Sequence, residues 1–295
     1  MGQIHAEELV FAHAKDGIFN GGVRIAPAAG APKPIAIIWI HGWGANFYYP
    51  TYVIIGRALA ARGYACITGN TRMHDIGTIM GWREGQRLRG GGYWGRPSEE
   101  AHDLAAWIDF AASRGHRAAV LVGHSAGAAA VRGYQAERQD PRVVGLILAS
   151  GGVRPPEGEP DPALVARAAR LVADGLGEEL LSLHRPGERR PRFISAATYL
   201  EGAQASPEQR DFFGVRTPHA AVARVRCPIL AWYGTNEPTV GTAADLELLR
   251  ECIARQPSGP SRVDTVMLQN ADHMYTGEEA QVAETVAAWV EALAP

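Results

Sequence analysis

Ser125 stands between two glycines in Gly123-His124-Ser125-Ala126-Gly127, with the apolar run 118–122 before it and an Ala-rich stretch from Ala128 after it. A strand that ends in Gly-x-Ser-x-Gly and turns at once into a helix pushes the serine hydroxyl out at the end of the strand. The chemistry open to such a group is nucleophilic attack on a carbonyl carbon. The new helix begins directly behind the serine, so its N–H groups and dipole favour an oxyanion developing there. A hydroxyl attacks only if a base takes its proton, and that base needs an acid to orient it.

In this setting the partners follow in the order serine, acid, histidine. Of ten histidines, only His273 follows both Ser125 and the last strand-like run, in Gln269-Asn270-Ala271-Asp272-His273-Met274. His184 and His219 fall in an irregular stretch between them. The acid is expected just after the run 229–233, where Gly234-Thr235-Asn236-Glu237 supplies Glu237 and the next carboxylate is Asp245. Asp272 is its rival, but it is adjacent to the histidine it would have to orient. Two backbone N–H groups should receive the oxyanion. One is Ala126, after the nucleophile. The other is Trp43, in His41-Gly42-Trp43-Gly44 after the run 35–40, where Gly42 lets the backbone come close to a substrate. His41 is expected to hold that loop, and His124 and Asp272 to serve local structure.

Asn46, Tyr48, Tyr49, His74, Trp82, Tyr93 and Trp94 lie in loops near these segments. They could line a pocket for a bulky or aromatic acyl group, or equally anchor the loops on the core. Arg83, Arg87, Arg89 and Arg96 surround Gly90, Gly91 and Gly92, a pattern seen in RNA-binding segments. With 29 Lys+Arg against 31 Asp+Glu the net charge is -2, so no field holds nucleic acid and a lid or solvated loop is expected instead. His74 with Asp75, or His102 with Asp103, lacks a third ligand at suggestive spacing, so no metal is expected. The acyl-transfer chemistry needs no metal or organic cofactor.

The elements that must position these residues are legible from short apolar runs at 35–40, 64–68, 118–122, 143–149, 229–233 and 263–268. Such runs suit strands buried on both faces of a parallel sheet. Helical segments are expected near 51–62, 98–113, 126–138, 242–255 and 278–293, with Ser98 as the N-cap of the second. An opening hairpin is expected from 8–12 and 17–25. Residues 69–97 read as a long loop, and 151–225 as helix-like pieces (162–174 and 176–183) with Pro-rich breaks and no clear buried strand. Alternating β and α argues for one α/β domain, a mostly parallel sheet flanked by helices. The expected organisation is a core of residues 1–150 and 226–295 with a helical cap over 151–225.

The 295 residues are 46% apolar and 20% charged, ordinary globular composition. The polar start MGQIHAEELVFAHAKDG lacks a secretory signal, and the longest apolar run is far short of the ~20 residues that span a bilayer. Cys66, Cys227 and Cys252 are too widely spaced for a disulfide framework or metal site, which suits a reducing, cytoplasmic setting.

Taken together these motifs resemble the α/β-hydrolase superfamily over about 34–150 and 226–293. The stretches H-G-W-G-A-N-F-Y at 41–48, N-T-R-M-H-D-I at 70–76 and G-H-S-A-G at 123–127 are similar to a sparsely characterised group related to fungal hydroxamate-siderophore esterases. That group typically has a small residue in place of Met73 and Asp in place of Glu237. The resemblance implies an α/β-hydrolase fold and hydrolysis of a small-molecule ester; the near-neutral charge and the short apolar runs, for their part, lead to the expectation of neither nucleic acid nor membrane as partner, and the oligomeric state stays open. It carries no particular substrate across. A C–C bond hydrolase or an acyltransferase would use the same constellation, and a non-catalytic small-molecule receptor is a third reading.

Overall fold

Successive side chains of a strand point to opposite faces, so a strand apolar at every position must be covered on both. In Ile35–Ile40, Ala36, Ile38 and Ile40 belong to one core cluster, and Ile37 and Trp39 to another. The computed structural model describes residues 5–83, 85–152, 160–184, 191–211, 217, 221–237, 240–256 and 258–293. In chain order they form β1 (His5–His13), β2 (Phe19–Pro27), β3 (Ile35–Ile40), α1 (Pro50–Ala60), β4 (Cys66–Gly69), β5 (Thr78–Arg83) and β6 (Gln86–Gly90). Next come α2 (Glu100–Ser113), β7 (Ala118–His124), α3 (Ala126–Arg138), β8 (Val143–Ala149), α4 (Pro162–Ala173), β9 (Leu180–Leu183), β10 (Arg192–Ser195), α5 (Ala196–Ala203), α6 (Pro207–Arg210) and α7 (Ala221–Arg224). The chain closes with β11 (Ile229–Gly234), α8 (Ala243–Ala254), β12 (Val263–Leu268) and α9 (Glu279–Glu291).

Eight strands form one sheet in the order β1-β2-β4-β3-β7-β8-β11-β12. The opening hairpin is antiparallel and β2 joins β4 antiparallel; from β4 to β12 every pairing is parallel. Leu104 and Trp107 of α2, Val131 of α3 and Leu249 of α8 fill one face. Ile55 and Leu59 of α1 with Val282 and Val286 of α9 fill the other. This is the α/β-hydrolase fold. Because the central strands run the same way, the residues after β3, β7, β8, β11 and β12 gather at one edge, where ligands of open α/β sheets bind.

Several expectations are corrected. Residues 69–97 are not a plain loop: β5 and β6 pair as a hairpin, with the Arg87 guanidinium 5.3 Å from the Trp82 ring centre. Ser98 does not cap α2; a short 3-10 turn, Pro97–Glu99, precedes that helix. The Ser98 N–H and hydroxyl instead donate to Glu201 at 2.8 and 3.0 Å. The stretch 176–183 is not helical, since α4 ends at Ala173 and β9 pairs antiparallel with β10. Residues 151–225 therefore contain a two-stranded sheet besides helices. They have a small core of their own, Ala168, Leu181 and Ala196. They dock on the 93–98 segment, where Ser195 N–H donates to Tyr93 O at 2.7 Å and Trp94 Nε1 to Glu178 O at 2.9 Å. Among the described residues no helix is long and apolar enough to cross a membrane, and the three cysteines are unpaired.

Candidate active site

The turn from Gly123 to Gly127 is built by two close backbone approaches. A Cβ on Gly123 would lie 2.2 Å from Gly127 O, and a Cβ on Gly127 would lie 2.6 Å from His41 O. No larger residue fits either position, so the Gly-x-Ser-x-Gly spacing follows from packing. Ser125 between them holds φ 54° and ψ -118°, and its N–H donates to Ala149 O at 2.8 Å. A non-glycine residue in that region carries strain of about 1–3 kcal/mol, held by the surrounding structure. Ser125 is half-buried at the N-terminus of α3, and Ala126 beside it is exposed.

Across from the serine lies the loop after β3. The Cβ that Gly42 lacks would sit 3.0 Å from the Ser125 Cβ. Among the described residues the N–H of Trp43 has no partner, and Ala126, as the first residue of α3, has no intrahelical acceptor for its N–H. His41 Nδ1–H donates to Gly42 O at 2.8 Å, and its Nε2 accepts from Thr71 N–H at 3.1 Å. His41 thus staples the loop after β3 to the one after β4.

His273, in the loop after β12, meets Glu237 from the loop after β11: Nδ1 lies 2.7 Å from Oε2. The carboxylate is fixed from its other side. Its Oε1 accepts from the Gly234 N–H at 2.5 Å and from the Ser150 hydroxyl, and Ser150 accepts from Tyr275 OH at 2.9 Å. Tyr275 in turn accepts from Trp232 Nε1 at 3.0 Å. With Oε1 committed, Oε2 is left for the imidazole. The rival Asp272 faces elsewhere, since its Oδ1 accepts from the N–H groups of Met274 and Thr276, each at 2.9 Å.

The structure thus brings Ser125, His273, Glu237, Trp43 and Ala126 to one edge of the sheet. The loop residues divide. Asn46 and His74 are joined through Asp75, whose carboxylate takes Asn46 Nδ2 at 2.7 Å and His74 Nδ1 at 2.8 Å. The Asp75 N–H donates to Ala45 O at 2.9 Å, so this trio braces the loop after β3. Tyr93 stands between Trp43 and Phe193, with ring centres 6.2 and 6.1 Å away. Trp94 anchors the 93–98 segment to Glu178. Tyr48 packs its ring edge-on against Phe47, and Trp82 is 66% exposed on its hairpin. Met73 packs against Gly95. His184 pairs with Ser182, and His219 lies outside the described residues. Among the described residues no cluster of three His, Cys, Asp or Glu is placed to hold a metal.

Sequence reading missed Tyr52, Ser150, Tyr275 and Phe193. For Ser150 a signal was available, its place at the C-terminal end of a buried parallel strand. Tyr52 lies on the buried face of α1, within the helical segment expected near 51–62.

Burial sets the charge of three groups behind the site. It pushes the His41 imidazole down to about 4, and His124 down to about 3 with help from the nearby His273. Burial also pushes the Glu100 carboxyl up to about 8, although the Thr71 hydroxyl donates to it. Below pH 6.5 the unfolded chain binds two protons that the folded histidines refuse, so stability falls as pH falls. Between pH 4.5 and 8 folded Glu100 keeps a proton that the unfolded chain releases, so its contribution falls as pH rises. The histidines outweigh Glu100 below pH 6.5, and Glu100 outweighs them above it. Unfolding free energy from urea titration should therefore peak near pH 6.5 and fall by about 1 kcal/mol by pH 8, because the last protons of the unfolded histidines and Glu100 itself titrate inside that window and hold the slope below the one-proton limit of about 1.4 kcal/mol per unit. Glu100→Gln should flatten that alkaline limb; a limb unchanged in the variant would show that Glu100 is ionised in the fold.

A family model described as the alpha/beta hydrolase family matches residues 37–288. The chain belongs to this family. No curated protein matches it by sequence. This alpha/beta hydrolase is similar to the solved structure of Est1E from Butyrivibrio proteoclasticus, at 17% identity and TM-score 0.61, over 97% of this chain and 98% of that one. It is similar to a thermostable carboxyl esterase from Bacillus coagulans, at 15% identity and TM-score 0.69, over 98% of this chain and 99% of the other. An esterase domain from Rhodothermus marinus aligns at 19% identity and TM-score 0.58, over 96% of this chain and 97% of that one. At these identities the likeness is one of fold.

Proposed function

We propose that this alpha/beta hydrolase is a serine-dependent carboxylic ester hydrolase that acts on an ester, lactone or thioester through an acyl-enzyme. The observation that carries the reading is the 2.7 Å contact of His273 Nδ1 with Glu237, at the same sheet edge as the strained Ser125 turn. The Glu237 carboxylate accepts a hydrogen bond from Nδ1–H, which keeps the proton on Nδ1 and leaves the Nε2 lone pair to act as base. Ser125 Oγ attacks the carbonyl carbon as Nε2 takes its proton, and the N–H groups of Trp43 and Ala126 receive the oxyanion. His273 then returns the proton to the leaving alcohol, and water repeats the sequence to release the acid. Each oxyanion donor contributes about 3–4 kcal/mol to lowering the barrier. None of these steps calls on a metal or organic cofactor.

The esterase neighbours support the substrate class, and Est1E has been solved with ferulic acid bound. The ring series Trp43, Tyr93, Phe193 beside the loop after β3 supports an apolar or aromatic ester. Residues 151–225 serve as the cap of the site, over a core of 1–150 and 226–295. The finer likeness to the siderophore-esterase group rests on the motifs at 41–48, 70–76 and 123–127 alone. Three unpaired thiols support a reducing, cytoplasmic setting.

A fluorophosphonate should label Ser125, and p-nitrophenyl acetate should be turned over many times with one oxygen of labelled water entering the acetate. Absence of both labelling and turnover would favour a receptor. Acyl appearing on an added alcohol in place of water would favour a transferase.

A further inference from the structure

The loop that carries His273 starts from β12, the edge strand, three places along the sheet from β7, which carries Ser125. Three strand spacings are about 14 Å, so the loop must lean back over β11 and β8 to bring its imidazole to the serine. Ladder register does not fix such an overhang, and a tether on the loop's own backbone does. His124, the residue before the nucleophile, provides one: its Nε2 lies 2.8 Å from the carbonyl oxygen of His273.

A carbonyl only accepts, so Nε2 of His124 carries the proton and Nδ1 must accept. Nδ1 lies 2.7 Å from Tyr52 OH, which donates to it. The Tyr52 oxygen then accepts the Gly42 N–H at 3.3 Å. Donors and acceptors run in one direction: Gly42 N–H to Tyr52 O–H to His124 Nδ1, then His124 Nε2–H to the His273 carbonyl. The chain ties the loops after β3, β7 and β12, which hold the oxyanion donor, the nucleophile and the base. Tyr52 and His124 are each about 1% exposed, so water does not substitute for a lost member. The chain holds only while His124 is neutral, because a doubly protonated ring has no acceptor for Tyr52. Neutrality also suits the reaction, since the imidazolium that forms on His273 has its ring centre 4.8 Å from that of His124.

We infer that Tyr52 and His124 are positioning residues that set the base and the oxyanion loop against the nucleophile. The inference rests on the serine-hydrolase reading above. With p-nitrophenyl acetate, His124→Phe, which keeps a ring but removes both bonds, should lower kcat about tenfold to a hundredfold with KM within about threefold. His124→Gln restores a donor at the Nε2 position and should recover most of that loss. Tyr52→Phe should lower kcat about fivefold to tenfold, and the double variant Tyr52→Phe with His124→Phe should be no worse than His124→Phe, because one chain is broken once. Circular dichroism checks the fold; if His124→Phe does not fold, Tyr52→Phe and His124→Gln decide the matter by the same kcat and KM split. A wild type labelled at Ser125 by fluorophosphonate, together with variants whose kcat stays within twofold, overturns the positioning role and leaves the hydrolase reading intact. A wild type that is neither labelled nor active overturns both.

Discussion

Ser125→Ala should abolish turnover of p-nitrophenyl acetate, with kcat falling by about 10³–10⁶ and fluorophosphonate labelling lost. The residual rate comes from the oxyanion donors and binding, without a nucleophile. Stability should stay within about 0.5 kcal/mol of wild type, because alanine keeps the Cβ that makes φ 54° unfavourable. Ser125→Gly separates chemistry from strain. Glycine adopts positive φ without penalty, so this variant should be as inactive as Ser125→Ala yet more stable by about 1 kcal/mol. Urea titration of the three proteins measures the difference. Retention of most activity by Ser125→Ala would sink the nucleophile assignment, and equal stability of the alanine and glycine variants would show that the turn stores no strain.

The buried parallel strands were legible because each reads as an apolar run bounded by glycine, proline or asparagine. Ile35–Ile40 and Val143–Ala149 have the expected limits; Val263–Leu268 does too, but as the edge strand it is half-buried at every position except Leu268. The placement of Ser125 was legible for the same reason, since a two-faced strand leading into an Ala-rich helix leaves little choice of turn. The hairpin of β5 and β6 was not legible. Its strands are short and rich in Gly and Arg, and Met80 buries only against the core of the assembled fold. Stretch 176–183 is expected as a helix-like piece, but Gly175 at φ 77° ends the helix before it, and Leu180–Leu183 pairs with β10 instead. Ser98 has the type and position of a cap, yet Glu201, more than a hundred residues on, takes its hydrogen bonds. The supports of the site were hidden for a related reason. Ser150 and Glu237 are 87 residues apart and Tyr52 and His124 are 72 apart. Polar partners at such separations carry no spacing signal, so Glu237 was legible from its place after a strand while its partner Ser150 and the Tyr52–His124 pair were not.

Glu237→Gln tests the acid with nearly unchanged shape, and it should lower kcat by about 10³–10⁴. The carboxylate accepts on both oxygens: Oε1 from Ser150 and the Gly234 N–H, Oε2 from His273. An amide has only one oxygen. Placed toward Ser150 and Gly234 it satisfies two donors, and the NH₂ group then faces His273 Nδ1. Nδ1 must accept, the imidazole proton moves to Nε2, and the nitrogen that should take the serine proton can no longer do so. The opposite placement sets the NH₂ group against two buried donors, at about 1–3 kcal/mol for each one left unpaired. Glu237→Asp keeps the charge but is one methylene too short to hold Gly234 and His273 together, and should lose about tenfold to a hundredfold. Ser150→Ala removes one of the two donors on Oε1 and should cost less than either. Asp272→Asn is the control, because its Oδ1 accepts the backbone N–H groups of Met274 and Thr276, which an asparagine oxygen also accepts; its kcat should stay within about threefold of wild type. The reverse pattern, severe loss in Asp272→Asn with Glu237→Gln active, would move the acid to Asp272 and leave the Ser150, Tyr275 and Trp232 chain a structural one.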